Sequence, residues 1–582
     1  MEEELEESIN PKKLDDFKVP DDYPFKKRRK KNCLIIFYSF LFVLVIFIII
    51  PIIVKINKDD KIYDEINCKF ITYSNNEKVQ LINMDAIKNI SFYLKINGTK
   101  NKKISEYNFD SKGEHDVTFI FNDKLKSLGN LFLGIDNLIE IDLSKVNEKA
   151  FKNISRLFAD CESLKIIEFG KKSKNIHYMN ESFAGCNSLL YLDLSSFKTE
   201  SVDNMERVFS GCHSLTSIDL RKLNTKNVKS MEAMFSGCYK LQNLTLKTFN
   251  FQNVTEMSYM FSNCENLESI DFGNSNTTSL ERMTGIFMEC HSLKNLDLNN
   301  FNTSKVEDMS LLFYNCEQLE NLKISNFETG KVENMYRMFS NCQSIKGLDL
   351  SSFNTQKVQN MKEMFHGCRN LAEINLSNFE TNNVIYFGDQ FSDCTSLTEL
   401  NLSSFETEEA TEMEKMFSGC TSLKKLNISN FKTNKLNNLK YMFEGCSSLT
   451  SIDLSFLEKS NGTAFSSGMF KNCISLKQIK FPQLNSFFLF ETDEMFSGCS
   501  SLETIDLSNI NTLSVKNMTN MFYDCSSLIS LDISKFNTRS VKNYNDIFKG
   551  IRNSSDFNIT YNISKTAEIS HQILDTWSRT FI

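Results

Sequence analysis

The chain has 582 residues, 41% of them hydrophobic and 24% charged, so it is long enough to bury a large core. Its formal net charge of −7 is mild for this length and argues against a nucleic-acid-binding protein, which needs a basic face. The aromatic residues are dominated by 50 Phe against one Trp, a bias that comes from a repeated phrase.

The N-terminal part predicts a membrane anchor. Residues 1–32 are charged and typical of a disordered cytosolic tail. Residues 33–54 are uncharged and mostly apolar, which gives about 33 Å of helix for a bilayer core of about 30 Å. Because a basic run at 26–31 precedes them, the positive-inside rule predicts a single-pass, type II signal-anchor with the rest of the chain outside the cell or in a lumen. The expected location is the plasma membrane, with the N-terminus cytosolic and the repeats extracellular. A cleaved signal peptide is the competing interpretation.

Two segments without the repeat are expected to cap the ends of the molecule. Residues 55–125 are expected to hold a linker and a β-rich N-terminal cap, since KFITY, SFYLKI and DVTFIF alternate apolar and polar residues. Residues 552–582 are expected to form a C-terminal cap. A stack of repeats exposes its core at each end, so such caps have a physical purpose.

Residues 126–551 repeat one phrase about sixteen times, and MFSGC at 234–238 is a clear copy. Cysteines recur from Cys161 to Cys525 at a spacing of 26, broken by one 25 and one 27. Such a period indicates stacked units, because a single copy cannot bury its apolar face alone.

Each copy is predicted to contain a strand and a helical return. In one copy, Leu215, Ile218 and Leu220 outline a short strand, and apolar residues up to Cys238 then recur three or four apart, a helical or 3₁₀ rhythm. The predicted class is therefore an α/β repeat solenoid with one short parallel strand per repeat. Because neighbouring strands lie about 4.8 Å apart, equivalent Phe, Met and Cys residues should form ladders in the core.

The cysteines could bind metal, form disulfides or pack as small apolar residues. Zinc ligands occur at closer spacing than these cysteines show. Stacked side chains hold their Cβ atoms wider apart than a disulfide prefers, so we expect buried free thiols. We expect no metal site and no cofactor.

Two features predict a binding surface. The outward residue of each strand phrase is often Asp, and like charges stacked about 4.8 Å apart repel, so cations, a basic ligand or local hydrogen bonds should compensate. Two copies also place apolar residues where others are polar, which indicates either a partner site or rings folded inward. The candidate binding residues are Asp193, Asp219, Asp271, Asp297, Asp349, Ile385, Tyr386, Phe487, Phe488 and Phe490.

Sequons for N-glycosylation are frequent in this Asn-rich chain, and some arise by chance. The candidate acceptors are Asn89, Asn97, Asn253, Asn375, Asn401, Asn427 and Asn461.

The copies LDLSSFNTQKVQNMKEMFHGCRNL (348–371) and IDLSNINTLSVKNMTNMFYDCSSL (505–528) resemble the 26-residue repeats of bacterial surface-protein-A-like (BspA-like) leucine-rich repeat proteins. The resemblance covers about 130–550. It implies a leucine-rich-repeat solenoid and a role at the cell surface in adhesion or in binding host or matrix proteins.

The expected function is therefore binding or adhesion at the cell surface, with an extracellular protein or glycan as partner and no nucleic acid. The alternative is a structural coat protein whose repeats self-associate. A signalling receptor is less favoured. A polysaccharide-acting enzyme is also less favoured, because the acidic residues follow the repeat and no local cluster of His, Arg or Lys accompanies them.

Overall fold

The repeats coil into a β-solenoid of about 15 turns, each near 26 residues long. The structure is a computed structural model that describes residues 64–432, 435–459, 463–481, 488–508, 510–551 and 557–560, with Lys565 and Ile569. The predicted segments 1–32 and 33–54 and most of 552–582 lie outside the described residues.

Antiparallel strands precede the coil. They are β1 (Asp64–Thr72), β2 (Glu77–Gln80), β3 (Phe92–Ile96), β4 (Thr99–Asn101), β5 (Glu106–Phe109) and β6 (Gly113–Phe121), with a 3₁₀ helix at Met84–Ile87. β7 (Leu138–Lys145) pairs antiparallel with β1 and parallel with β8 (Ile166–Glu168). One six-stranded sheet, in the order β4-β3-β6-β1-β7-β8, thus joins four of these strands to the first turns of the coil, while β2 and β5 pair with each other in a separate sheet.

Short strands follow along the coil. They are β9 (Lys174–Asn175), β10 (Phe197–Lys198), β11 (Asn243–Thr245), β12 (Ser269–Asp271), β13 (Asn295–Asp297), β14 (Asn321–Lys323), β15 (Glu399–Asn401), β16 (Lys425–Asn427), β17 (Ser451–Asp453), β18 (Thr463–Phe465), β19 (Gln478–Lys480), β20 (Phe488–Glu491), β21 (Thr504–Ile505), β22 (Ser530–Asp532) and β23 (Asn558–Thr560), with 3₁₀ helices at Ala150–Lys152 and Ser455–Lys459. Pairing is parallel, and from β11 to β17 it joins equivalent residues, such as Leu244 with Ile270. The copies that contain Asp219 and Asp349 form no strand at those residues. The prediction of one short strand in every copy is therefore only partly right.

The predicted α/β class is wrong, because the return between strands is a series of tight turns. The N–H of Met234 bonds to the carbonyl of Met231 in the same copy at 3.2 Å, whereas the N–H of Met231 bonds to Glu256 of the next copy at 2.9 Å. Ala233 and Gly237 have φ of 50° and 73°, and such left-handed residues interrupt a right-handed helix. The three-residue spacing therefore reflects successive turns.

One Phe of each copy lies on the Phe of the next and forms the centre of the core. From Phe132 to Phe548, neighbouring ring centroids are 5.3 to 6.0 Å apart. This confirms the predicted Phe ladder, including its extension beyond the first and last repeat cysteines.

The cysteines form a second column and are free and buried from Cys161 to Cys525. Each thiol donates a hydrogen bond to the Phe carbonyl of the preceding copy, as Cys316 does to Phe287 at 3.1 Å. Burial raises the pKa of Cys212 and Cys368 to about 12, so these thiols stay neutral near pH 7. The cysteines are therefore packed core residues, as predicted, and also donors that tie one turn to the next.

The residue before each repeat cysteine has a positive φ in every copy from Asp160 to Asp524. Gly, Asn and Asp adopt this conformation most readily, and they fill every one of these positions except Glu289. The recurring letters G, N and D in the phrase are thus required by the backbone.

The expected plasma-membrane localisation needs correction. Within the part of the chain that the structure describes, no helix has the length and apolar character needed to cross a membrane. The single-pass anchor assigned to 33–54 falls on residues outside that part.

Candidate functional site

The predicted Asp residues lie on separate turns of the strand side of the coil, all exposed. Each accepts a hydrogen bond from the backbone N–H two residues later: Ser195 to Asp193 at 2.9 Å, Arg221 to Asp219 at 3.0 Å, Gly273 to Asp271 at 3.0 Å, Asn299 to Asp297 at 3.1 Å, and Ser351 to Asp349 at 3.1 Å. The carboxylates therefore close the turn that follows the strand phrase.

We call the stacked outward residues of the strand phrases the strand column. Neighbouring cations also reduce the repulsion between its Asp residues. Lys247 lies 2.8 Å from Asp271, and Lys323 lies 3.2 Å from Asp297. The side chain of Arg221 donates to Asp219 and lowers the pKa of that carboxyl. Much of the hydrogen-bonding capacity of the column is thus used within the fold.

The candidate glycosylation residues divide between loops and the same strand column. Asn375, Asn401 and Asn427 replace Asp in that column, are exposed, and accept the N–H of the residue two places later at 3.1 to 3.2 Å. Asn89, Asn97 and Asn253 are also exposed, and Asn461 lies outside the described residues.

Phe490 is the one member of the predicted Phe cluster whose side chain the structure describes. Phe490 is half-buried in β20, with its ring centroid 5.1 Å from that of Phe465 and the Lys516 ammonium 4.8 Å above it. Phe488 begins the same strand, and Phe487 lies outside the described residues. Of the two alternatives, a partner site or a ring folded inward, the structure shows an inward-packed ring for Phe490.

A second ladder of single parallel bridges runs along another side of the coil. Its side chains differ from turn to turn: Asn204, Ser230, Glu256 and Arg282, then Asp308, Asn334, Asn360, Tyr386, Glu412 and Asn438. We define the bridge face as these residues together with the residues two and three places after each of them. The bridge face varies where the strand column keeps mostly Asp and Asn.

The copy that contains Tyr386 of the bridge face departs from the repeat at residues 385–390. Tyr386 is 43% exposed among polar neighbours, and Ile385 beside it is half-buried. Gln390 occupies the core position that Met364 and Met416 fill in adjacent copies, and its exposure is 0%. Its Nε2 donates to Met361 Sδ at 3.7 Å, but its Oε1 has no hydrogen-bond partner among the described residues, so this copy holds an unpaired amide oxygen in the core.

An ion pair beside Gly388 of the same copy spans two turns. Lys362 Nζ lies 3.2 Å from Glu412 Oε1, and a Cβ on Gly388 would stand 3.6 Å from Lys362 Cε and 3.4 Å from that Glu412 oxygen. Burial is the largest single influence on the pKa of Lys362 and lowers it, but the hydrogen bond to Glu412 and the charges of Glu412, Asp389 and Glu363 together raise the pKa. Burial also raises the pKa of the Asp389 carboxyl. The raised pKa of Asp389 indicates its partial removal from water, whereas that of Lys362 reflects its acidic neighbours.

An arginine is held in place two turns before Tyr386. The Arg337 guanidinium lies 5.3 Å from the Tyr314 ring centroid and 5.0 Å from that of Tyr336, and its Nε donates to Glu363 at 2.6 Å. Sequence reasoning missed Tyr336, Arg337 and Gln390. Gln390 could have been found from the sequence, since it interrupts a column of apolar residues. Arg337 could not, because its contacts are with residues of other turns.

This arrangement offers fixed aromatic and charged groups for recognition. Among the described residues, no group of three or more His, Cys, Asp or Glu side chains could hold a metal ion.

Several solved structures are similar to the chain. A leucine-rich repeat protein from Bacteroides ovatus ATCC 8483 is 22% identical, with 71% of this chain and 84% of that chain covered and a TM-score of 0.40. A leucine-rich repeat protein from Eubacterium ventriosum ATCC 27560 is 16% identical, with 59% and 84% covered and a TM-score of 0.24. A TLR13–ssRNA13 complex is also 16% identical, with 74% and 58% covered and a TM-score of 0.22.

No curated protein matches the chain. One family model matches it six times, and the overlapping matches run without a gap from 152 to 576: residues 152–270, 240–351, 281–400, 342–455, 386–486 and 466–576. The chain belongs to the family described as "Mycoplasma protein of unknown function, DUF285".

Proposed function

We propose that the solenoid recognises a protein partner through its bridge face around Tyr386, and that it acts by binding rather than by catalysis. The observation that carries this proposal is the break at 385–390, where an exposed Tyr and a buried Gln with an unpaired Oε1 occur in one copy. A buried amide oxygen without a hydrogen-bond partner lowers the free energy of unfolding by about 1 to 3 kcal/mol. Local departures from good packing and hydrogen bonding are concentrated at functional sites.

The composition of the face supports protein recognition. Tyr and Arg are enriched among the residues that dominate protein–protein binding energy, and Tyr336, Arg337 and Tyr386 lie within three turns. Tyr314 and Glu363 already hold Arg337, so less side-chain entropy is lost when a partner binds. The resemblance of the repeats to BspA-like proteins agrees with a binding role.

Photo-crosslinking at position 386 tests the proposal. A photoreactive phenylalanine analogue replaces Tyr386 in one variant and Asn401, on the strand side, in another. Illumination in a lysate of the source cells should give a discrete protein adduct only from position 386. The adduct partner, purified, should bind the unmodified chain, and Tyr386→Ala should weaken that binding about 30-fold, which corresponds to the roughly 2 kcal/mol of a binding hot spot.

Tyr178→Ala is the matched control, because Tyr178 occupies the position of Tyr386 in an earlier copy, where it forms a parallel bridge with Asn153, and is 57% exposed. It should leave the affinity unchanged. Equal effects of the two substitutions would contradict the proposed location. An adduct between two copies of the chain would favour the self-association alternative.

A further inference from the structure

A shallow hollow of about 390 Å³ lies beside the bridge face, between two rows of surface residues drawn from four consecutive turns. One row ends in Ile385, the half-buried apolar residue next to Tyr386. The lining residues are Glu333, Lys357, Gln359, Asn383, Ile385 and Glu409.

The backbone beneath the hollow is already hydrogen-bonded. Gln359 donates its N–H to the carbonyl of Glu333 at 2.8 Å, Ile385 to Gln359 at 2.8 Å, and Thr411 to Ile385 at 3.1 Å. Val358 and Val384 lie below this row in the core. A ligand in the hollow therefore meets side chains, and an extended peptide finds no open strand edge to pair with.

Three polar side chains of the lining have unused hydrogen-bonding capacity. Those of Glu333, Lys357 and Gln359 form no hydrogen bond or ion pair with any described residue. The other two polar residues of the lining are engaged, since Glu409 pairs with Lys435 and the Asn383 amide donates to the carbonyl of Gln356 at 2.8 Å.

The charges of the lining favour a neutral ligand. Because Lys435 neutralises Glu409, the remaining charges are one carboxylate on Glu333 and one ammonium on Lys357. Four of the six lining residues end in a planar carboxylate or carboxamide, groups that bind neighbouring hydroxyls in pairs, and Ile385 offers a small apolar patch. Hydroxyl groups beside a C–H face are the chemistry of a sugar ring.

We propose that this hollow binds a neutral saccharide unit, as a ligand additional to the protein partner. The hydroxyls bond to Glu333, Gln359 and Lys357, and the C–H face of the ring lies on Ile385. The site does not depend on the binding function proposed for Tyr386.

A printed array of short neutral gluco-, manno-, galacto- and xylo-oligosaccharides, probed with the full chain, tests this inference, with titration of each positive compound in solution. Glu333→Ala and Gln359→Ala should each weaken binding at least tenfold. Tyr386→Ala leaves the hollow lining intact and should retain most of the binding, so the two proposals can fail separately.

Gln242→Ala, at an exposed position outside the hollow, is the matched control and should bind like the unchanged chain. Gln359 and Gln242 are both exposed, so neither substitution should change the thermal unfolding temperature of the protein. Absence of binding to every compound would overturn the proposal. Binding that survives both Glu333→Ala and Gln359→Ala would also overturn it.

Discussion

The Asp residues of the strand column show how one side chain can suggest a ligand and yet serve the fold. Stacked carboxylates require compensation, and the sequence left bound cations, a basic ligand and local hydrogen bonds as alternatives. In the structure, the N–H of Ser351 bonds to Asp349 and the ammonium of Lys247 pairs with Asp271. Which donor faces a carboxylate depends on turn geometry and on the neighbouring copy, and neither is visible in one copy of the repeat.

Gly445 tests the requirement for a left-handed residue before each cysteine. Its φ is +70°, and an added Cβ would stand 3.7 Å from Gly419, so the cost of Gly445→Ala is backbone strain alone. We expect the free energy of unfolding to fall by about 1 to 2 kcal/mol, measured by urea denaturation.

Gly347→Ala is its control. A Cβ at Gly347 meets no atom within 4 Å, and no positive φ restricts this residue. The control should be neutral or stabilise by up to about 1 kcal/mol. Equal losses from the two variants would show that the turn is not left-handed.

At the scale of the element, a column of buried Thr residues joins consecutive turns. The Thr355 hydroxyl donates to the carbonyl of Glu380 and accepts the N–H of the same residue, both at 2.8 Å. Thr355→Val keeps the shape but leaves two backbone groups of Glu380 unpaired. We expect a loss of about 2 to 4 kcal/mol in the free energy of unfolding, measured by urea denaturation.

Thr355→Ser keeps the hydroxyl and should lose clearly less stability than Thr355→Val. Thr216→Val, at an exposed position, should stay within about 0.5 kcal/mol. If Thr355→Ser were as harmful as Thr355→Val, the packing of the methyl group rather than the hydroxyl would hold the turns together.

The main difference between the sequence prediction and the structure is the segment that returns from one strand to the next, which was predicted to be helical and is a series of tight turns. Apolar residues three apart fit both a helix and a chain of three-residue turns. The Gly, Asn or Asp before each cysteine is the signal that separates these two, because it marks a left-handed residue in every copy. The Phe ladder could be predicted, since stacking of identical copies aligns their core residues.

The candidate site was predictable only in part for a related reason. Ile385 and Tyr386 break the polar pattern of their own copy, so the sequence identifies them. Arg337 looks like an ordinary polar residue until Tyr314 and Glu363 of the neighbouring turns surround it.

For the whole molecule, the buried thiols make stability depend on pH. Burial raises the pKa of Cys420 and Cys525 from 9.0 to about 12. A raised pKa in the folded state gives stability that is complete below pH 9 and is lost as the pH rises toward 12. In that window each such thiol lowers the free energy of unfolding by about 1.4 kcal/mol per pH unit.

Urea denaturation at a series of pH values from neutral upward measures this slope. The midpoint should be steady at neutral pH and fall steeply above pH 9. Cys420→Ala removes one titrating thiol and should reduce the slope above pH 9 by that thiol's contribution. A slope identical to that of the unchanged chain would contradict the burial of Cys420.

Alkylation of the native chain by iodoacetamide, mapped by mass spectrometry, tests the stacked coil most directly. Because the repeat cysteines from Cys161 to Cys525 are covered by adjoining turns, we predict that they stay unmodified under native conditions and react fully in denaturant. Modification of a run of these thiols in the native chain, or their recovery as disulfides, would contradict the account.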